Sequence, residues 1–237
     1  MRKILLFAAA LLTVTAANAK VWRINYDDNA QADFKTIATC LEYKDFTDGD
    51  TLYMDAGFHN GSQSDNTISK SCTILGPGWG FQTSTNIISE TESAVISSTL
   101  FLKGDNISIK LSGLYCESIS CYYNSTPNDL IIEKCRLTST SYSNSGSSAF
   151  KAKNIEVKNC FIEGDLTIDG AVNASIVGNI IRALSLCTPS NRCIVDHNTI
   201  VGYFTNSGYL KYYMPCITSS FTLLYHEIVY TFELLNV

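Results

Sequence analysis

Several kinds of binding site are missing from this sequence of 237 residues. Nine cysteines are present, but neither Cys116 with Cys121 nor Cys187 with Cys193 has the second Cys or His pair that a zinc site needs. The net charge of −5 is mildly negative, which argues against nucleic acid or an anionic membrane as a partner. We therefore predict no metal site and no nucleic-acid partner.

Long apolar segments are also absent, apart from one near the N-terminus. Residues 1–3 read Met-Arg-Lys, an apolar run extends from Ile4 to about Ala16, and Ala17-Asn18-Ala19 precedes Lys20. This order is typical of a secretory signal peptide, and the run is too short to span a bilayer comfortably. The first cysteine is Cys40, so a lipid-anchored form is not supported. We predict a signal peptide at 1–19 and a secreted, periplasmic or cell-surface mature chain without a membrane span.

A repeat in the second half of the chain predicts the fold. Apolar residues in each copy alternate at a period of two on either side of a fixed corner, which indicates strand, corner and strand. Five copies align without gaps, and they start 23, 25, 19 and 19 residues apart: 106–114, 129–137, 154–162, 173–181 and 192–200. A coil with this period predicts an all-β, right-handed parallel β-helix at 20–202. An immunoglobulin-like sandwich also suits short strands, but it does not explain the recurring corner.

The corner position of the repeat predicts a stack of side chains. It holds Ser112, Cys135, Cys160, Asn179 and Asn198. Equivalent residues in adjacent turns lie about 4.8 Å apart, so Asn179 and Asn198 can form an amide ladder. Cys135 and Cys160 come within disulfide range, but parallel in-register side chains do not present the ideal Cβ distance. We expect buried thiols there.

The two ends of the predicted solenoid differ from the repeat. Phe34, Ile37 and Leu41 have helical spacing with Asp33 as a credible N-cap, which predicts a short helix that covers the open edge of the first turn. After Gly202 the repeat disappears. The aromatic and aliphatic tail at 203–237 is interpreted either as a last turn with a cap or as the truncated end of a longer helix.

A family resemblance supports the predicted fold. The sequence "ADFKTIATCLEYKDFTDGDTLYMDAGFHNGS", followed by "ISKSCTILGPGWG", resembles the opening of secreted right-handed parallel β-helix proteins of the pectate-lyase-like superfamily, of the kind abundant in Bacteroidetes. The resemblance covers roughly residues 20–202. It implies little about activity, because that superfamily includes lyases, hydrolases, esterases, adhesins and other surface proteins.

The enzyme motifs that the resemblance leads us to expect are incomplete. Asn198-Thr199-Ile200 lacks the acid of the hydrolase motif Asn-Thr-Asp, no Gly-His-Gly occurs, and the single Asp pair, Asp27-Asp28, precedes the predicted helix. A lyase needs a base and a cation, commonly Ca²⁺ held by carboxylates. The outward column of the repeat alternates in charge and forms no acidic cluster: Lys110, Glu133, Lys158, Val177 and Asp196. If the protein is an enzyme, the candidate catalytic residues are Lys158, Asp196 and His197.

Aromatic residues in or beside the loops between repeats offer a binding alternative, because sugar rings stack on aromatic faces. The candidates are Tyr115, Tyr122, Tyr123, Tyr142, Phe150 and Phe161. We expect a protein that binds polysaccharide or serves as a surface or structural module without catalysis. A polysaccharide lyase or glycoside hydrolase of the pectate-lyase-like type is the alternative. No cofactor is expected, apart from Ca²⁺ in the case of a lyase.

Overall fold

A computed structural model describes residues 19–78, 93–122, 125–139, 152–187, 192–206, 219–225 and 228–234. The predicted signal peptide up to residue 18 and the candidates Tyr123, Tyr142 and Phe150 lie outside these residues. The described elements, in chain order, are β1 Val21–Ile24, α1 Ile37–Leu41, β2 Thr51–Met54, β3 Gly57–His59, β4 Thr67–Ile68, β5 Cys72–Leu75, β6 Ala94–Leu102, β7 Ser108–Ser112, β8 Leu114–Cys121, β9 Asp129–Glu133, β10 Arg136–Ser139, β11 Asn154–Lys158, β12 Phe161–Asp169, β13 Asn173–Val177, β14 Ile180–Cys187, β15 Arg192–Asp196, β16 Asn198–Asn206, β17 Ser219–Tyr225 and β18 Ile228–Leu234.

The strands form two sheets that run along a parallel β-solenoid, as the repeat predicts. Sheet A has the order β1-β2-β5-β7-β9-β11-β13-β15. Sheet B has the order β18-β17-β16-β14-β12-β10-β8-β6-β3, with β4 also paired to β6. From β7 to β16 the chain alternates between the sheets, so each turn adds one strand to each of them. Neighbouring strands in a sheet are therefore consecutive turns of the coil.

The core lies between the sheets and consists of ladders of apolar side chains. One ladder in sheet A contains seven buried residues in register: Leu52, Ile74, Leu111, Ile132, Val157, Ile176 and Val195. A ladder in sheet B contains Ile96, Cys116, Leu137, Ile162, Ile181 and Ile200. Burial of one such aliphatic side chain contributes about 1.5–3 kcal/mol. Each turn buries its side chains against the next turn, so neighbouring turns stabilise one another.

The alignment predicted for the first copy of the repeat is wrong by two residues. Ile109, and not Ile107, pairs with Leu130, and the first true copy begins at Ser108. The corner stack therefore contains Leu114 in place of Ser112. Ser112 instead pairs with Glu133 on the outward face of sheet A. The shift is two residues, which preserves the alternation of inward and outward side chains and so escapes a pattern search.

The residue before each corner side chain adopts a left-handed backbone. Gly113 and Gly178 have φ of 68° and 69°, and Lys134, Asn159 and His197 have φ of 51°, 53° and 52°. Glycine adopts this conformation without strain, and Asn and His tolerate it better than most residues do. The left-handed backbone of His197 is therefore a property of each of these turns at this position and not a feature special to His197.

The corner stack confirms the predicted amide ladder. Asn179 and Asn198 are buried, and Asn179 Nδ2 donates to Asn198 Oδ1 over 2.9 Å. Asn179 Oδ1 accepts from the Cys160 backbone N–H at 2.8 Å. The Cys135 and Cys160 thiols are buried and unbridged, and each donates to a backbone carbonyl oxygen over 3.3 Å. The expectation of buried thiols is confirmed.

The N-terminal helix is shorter than the apolar spacing from Phe34 to Leu41 predicts, and its N-cap is not the predicted Asp33. The helix begins at Ile37, and Thr36 is the N-cap in a capping box with Thr39. Asp33 does not cap the helix, because its carboxylate accepts from the Arg23 backbone N–H at 2.7 Å instead. The helix contacts β1 and β4 and contributes buried side chains to the core. Its role as a cap of the solenoid stays a prediction.

The C-terminal strands extend sheet B. β16 continues to Asn206, β17 pairs with it in parallel, and β18 pairs antiparallel with β17. The boundary predicted at residue 202 thus falls inside a strand. Within the described parts of the chain, no helix is long and apolar enough to cross a membrane.

Candidate functional site

A hydrogen-bonded polar column follows the outer face of sheet A. Ser108, Asp129, Asn154 and Asn173 occupy equivalent positions on four successive strands, β7, β9, β11 and β13. Ser108 Oγ donates to Asp129 Oδ2 at 2.6 Å, and Asn154 Nδ2 donates to Asp129 Oδ1 at 2.8 Å. Asn173 Nδ2 continues the column by donating to Asn154 Oδ1 at 2.7 Å. These contacts fix one polar side chain on each turn, and we call the four residues the polar column.

A shallow groove runs beside the polar column. It consists of two adjoining depressions of about 450 and 320 Å³, which share Asp129 and Ile131 as lining residues. The outward residues next to the polar column line this groove: Thr73, Lys110, Ile131, Glu156, Ser175 and Ile194. Consecutive strands of a sheet lie about 4.8 Å apart, so the groove presents one outward side chain at each such step along the solenoid, and these side chains are polar, charged or aliphatic.

Charged side chains form a balanced cluster at the far side of the groove. Glu133 accepts from Lys110 Nζ at 2.7 Å and lies 3.3 Å from Lys158 Nζ, which also contacts Glu156 at 2.7 Å. The hydrogen bond from Lys110, supported by Lys158, holds the pKa of Glu133 below its ordinary value. The hydrogen bonds to Glu156 and Glu133 raise the pKa of Lys158. Lys158 is therefore a protonated partner of two carboxylates, which does not suit a general base near neutral pH.

Asp196 lies at the end of the outward column of sheet A that also contains Glu133, Lys158 and Val177, and His197 follows it at the turn between β15 and β16. Asp196 Oδ2 is 2.8 Å from His197 Nδ1, and the His197 side chain is 75% exposed. Val177 separates Lys158 from Asp196 in the column, which puts the two residues two strands, about 10 Å, apart. The structure thus pairs Asp196 with His197 and keeps Lys158 in a different ion-pair cluster.

The aromatic candidates that the structure describes lie in sheet B or directly after one of its strands. Tyr115 and Phe161 flank Arg136 in one outward column, and the Arg136 guanidinium lies 4.4 Å from the Tyr115 ring centroid. Tyr122 is 39% exposed, with Lys103 Nζ at 5.3 Å from its ring centroid. A cation thus stands over one face of each tyrosine ring. Tyr115, Tyr122 and Phe161 thus lie outside sheet A, which carries the groove.

The polar column is not among the sites predicted from the sequence. The leading Asp129, Asn154 and Asn173 of three repeats served only as alignment markers, although recurrent Asp and Asn at an outward strand position is itself a signal. The wrong alignment of the first copy also hid Ser108. Among the described residues, no group of three or more His, Cys, Asp and Glu side chains is close enough to hold a metal ion.

Comparisons with known proteins place this chain in no family. No family model, no curated protein and no solved structure matches it. The solenoid and the outer face of sheet A are therefore the basis for assigning a function.

Proposed function

We propose that the mature chain is an exported β-helix protein of the pectate-lyase-like kind that binds an extended polysaccharide along the outer face of sheet A and does not cleave it. The observation that carries this proposal is the polar column beside the groove. Export is supported by the signal-peptide pattern at residues 1–19. The right-handed sense of the coil belongs to the same proposal, since the family resemblance implies it.

The repetition of the solenoid suits a repeating ligand. A polymer that lies along the solenoid axis meets one more polar side chain for each strand it crosses. A carboxamide has two N–H donors and one carbonyl acceptor, and the amide of Asn154 uses one donor and its acceptor within the polar column. Its second N–H can reach a sugar hydroxyl. Ile131 and Ile194 line the groove and provide an apolar surface on which the C–H face of a sugar can pack.

The charges beside the groove favour a neutral or weakly charged polymer. Lys110 and Lys158 are compensated by Glu133 and Glu156 in direct ion pairs. A strongly acidic polysaccharide would have to compete for those cations and would meet the Asp129 carboxylate as well. Electrostatic complementarity of this kind governs which ligands are selected.

The contacts of the candidate catalytic residues support binding over cleavage. Lys158 is held protonated by two carboxylates, and Asp196 is paired with His197 two strands away. Elimination requires a base near the proton it removes, and hydrolysis requires an acid with a second carboxylate across the scissile bond. Neither geometry is formed by these three residues.

Affinity measurements with matched variants test the binding site. Purified mature protein is titrated with neutral, pectic, alginate-like and glycosaminoglycan polysaccharides by calorimetry. Ile131→Lys puts a long cation into the part of the groove that both depressions share, and we expect a loss of affinity of at least about tenfold. Val201→Lys is the matched control, because Val201 is 47% exposed on sheet B. Equal affinities of the two variants would contradict a site on sheet A.

Release of reducing ends tests the non-catalytic part of the proposal. Both hydrolases and eliminating lyases create new reducing ends, so the same panel is incubated with the protein in the presence and absence of Ca²⁺. We expect no release above that of boiled protein. Release that boiling abolishes, and that Lys158→Met or His197→Gly removes, would overturn the proposal in favour of a lyase or hydrolase.

A further inference from the structure

A buried carboxylate lies beside the beginning of the predicted mature chain. Asp50 is fully buried, and four groups donate to it. Its Oδ1 accepts from the Lys20 backbone N–H at 2.8 Å and from Thr47 Oγ1 at 3.0 Å. Its Oδ2 accepts from Trp22 Nε1 at 2.9 Å and from the Thr47 backbone N–H at 3.1 Å. Each oxygen thus accepts two hydrogen bonds, which is about the full capacity of a carboxylate.

The environment of Asp50 keeps the carboxylate ionised but leaves its charge unpaired. Burial by itself raises the pKa of Asp50, and the hydrogen bonds from Trp22, Lys20 and Thr47 outweigh burial and lower it. Among the described residues, no Lys, Arg or His side chain forms an ion pair with this carboxylate. The side-chain ammonium of Lys20 lies over the Trp22 ring, 5.2 Å from its centroid. A buried charge is costly unless an opposite charge compensates it.

The position of the Lys20 backbone nitrogen is fixed from both sides. The Lys20 carbonyl oxygen accepts from the Thr51 backbone N–H at 2.8 Å, where the chain enters the pairing of β1 with β2. These two hydrogen bonds hold the Lys20 nitrogen against Asp50. Lys20 is also the residue that follows the small-x-small sequence Ala17-Asn18-Ala19.

We propose that removal of the signal peptide after Ala19 turns the Lys20 nitrogen into an α-ammonium group that forms a buried ion pair with Asp50, so that export processing itself stabilises the fold. The inference rests on the proposed export. A signal peptidase hydrolyses the Ala19–Lys20 amide with one water, which leaves a carboxylate on Ala19 and an amine on Lys20. The amine takes up a proton at neutral pH, so a neutral amide N–H that donates to the Asp50 carboxylate is replaced by a full positive charge beside it, and the attraction between the two opposite charges is gained.

The ion pair has a distinct pH dependence. The α-ammonium faces Asp50, and titratable groups near Asp50 among the described residues include the Lys20 side chain over the Trp22 ring and the buried Cys40 thiol, whose pKa burial raises to about 12. An α-amine has an ordinary pKa of about 8, and Asp50 raises it in the folded chain. The added stability is therefore fully present below about pH 8 and is lost as the pH rises through the higher value of the folded protein.

The first experiment determines the N-terminus of exported protein by intact mass, where a start at Lys20 is expected. Thermal unfolding is then compared for chains that start at Lys20, at Ala19 and at Met1. At pH 7 we expect the chain that starts at Lys20 to unfold on the order of 5 °C higher than the other two. Selective acetylation of its α-amine restores a neutral amide, and this should lower the midpoint to that of the longer chains. The Asp50→Asn variant should show no difference between the three starts.

Three results would overturn the inference. They are a different N-terminus in the exported protein, equal midpoints for the three starts, and a midpoint difference that acetylation leaves unchanged. Acetylation keeps the test decisive if Asp50→Asn does not fold. Polysaccharide binding plays no part in these measurements, so a failure of the proposed binding function leaves this inference untouched, and the reverse also holds.

Discussion

Asn179 Nδ2 donates to Asn198 Oδ1 over 2.9 Å, across one turn of the solenoid. The same Asn198 oxygen accepts from the Asn179 backbone N–H at 2.9 Å, and Asn198 Nδ2 donates to the Ile176 carbonyl oxygen at 2.7 Å. The two buried amides thereby satisfy backbone groups that a turn leaves unpaired. They hold three successive turns in register.

Removal of the Asn179 amide should lower the free energy of unfolding. Asn179→Ala leaves the buried Cys160 N–H and the Val157 carbonyl oxygen without the partners that Asn179 provides. Each of these two orphaned buried groups costs about 1–3 kcal/mol, so we expect a loss of about 2–6 kcal/mol in the free energy of unfolding. Urea denaturation followed by circular dichroism measures it. Thr199→Ala, at a half-buried outward position, is the control, and a loss as small as that of the control would contradict the role of the ladder.

The left-handed backbone conformation of Lys134 predicts that a glycine at this position stabilises the fold. Lys134 has φ of 51°, whereas Gly113 and Gly178 occupy the equivalent positions of other turns. Lys134→Gly removes the strain of an L side chain, about 1–2 kcal/mol, and costs about 0.4–1 kcal/mol in chain entropy. We expect a net gain of up to about 1 kcal/mol and a loss with Lys134→Val, whose β-branched side chain fits this conformation poorly. Denaturant titration of both variants checks the opposite signs, and a gain with valine would contradict the turn geometry.

His59 predicts a loss of stability at acid pH. The imidazole is buried against Tyr26, its Nε2 donates to the Asp55 carbonyl oxygen at 2.7 Å, and its Nδ1 has no hydrogen-bond partner among the described residues. Burial lowers the pKa of His59, so the folded chain resists protonation that the unfolded chain accepts near pH 6.5. The contribution of His59 is therefore complete above about pH 6.5 and decreases as the pH falls towards the lower folded pKa.

The variant His59→Phe isolates this effect, because phenylalanine keeps an aromatic ring beside Tyr26 and cannot be protonated. We expect the free energy of unfolding of the variant to fall less than that of the parent chain between pH 7.5 and pH 5. Urea titrations at both pH values give the two differences. Parallel pH profiles for the two proteins would show that His59 carries none of the dependence.

The buried thiols predict an order of chemical labelling. Burial raises the pKa of Cys116 to about 12 and that of Cys193 to about 11, and it also raises the pKa of Cys135. The thiolate is the nucleophile, so these side chains should resist iodoacetamide in the folded protein at pH 8. Cys121 is only half-buried and should react first among the cysteines whose side chains the structure describes: Cys40, Cys72, Cys116, Cys121, Cys135, Cys160 and Cys193.

Peptide mapping by mass spectrometry after timed labelling checks this order, with urea-unfolded protein as the control in which all cysteines react. A peptide with a Cys135–Cys160 disulfide, or labelling of Cys135 as fast as that of Cys121, would contradict the buried-thiol structure.

Local patterns predicted the features of this fold that repeat. Alternation at a period of two identified the strands, and the recurrence of Asn179 and Asn198 identified their contact, because equal positions in neighbouring turns of a solenoid are neighbours in space. The same patterns failed where two alignments look alike. A shift of two residues keeps every inward side chain inward, so only the backbone pairing of Ile109 with Leu130 decides the register. The prediction of the N-cap was wrong for a related reason. Asp33 and Thr36 are both residue types that suit an N-cap, but the Asp33 carboxylate accepts a hydrogen bond from the Arg23 backbone N–H and so does not cap the helix.

Side-chain size and period along the chain are enough to predict the solenoid, its inward ladders and the buried corner residues Cys135, Cys160, Asn179 and Asn198. Which outward residues act together depends instead on the pairing of the strands. Ser108, Asp129, Asn154 and Asn173 lie 21, 25 and 19 residues apart and become neighbours through strand pairing. Asp50 meets Lys20 across 30 residues in the same way. Hydrogen bonds and ion pairs depend on distances of a few ångströms, and those distances are set by the packing of one turn upon the next.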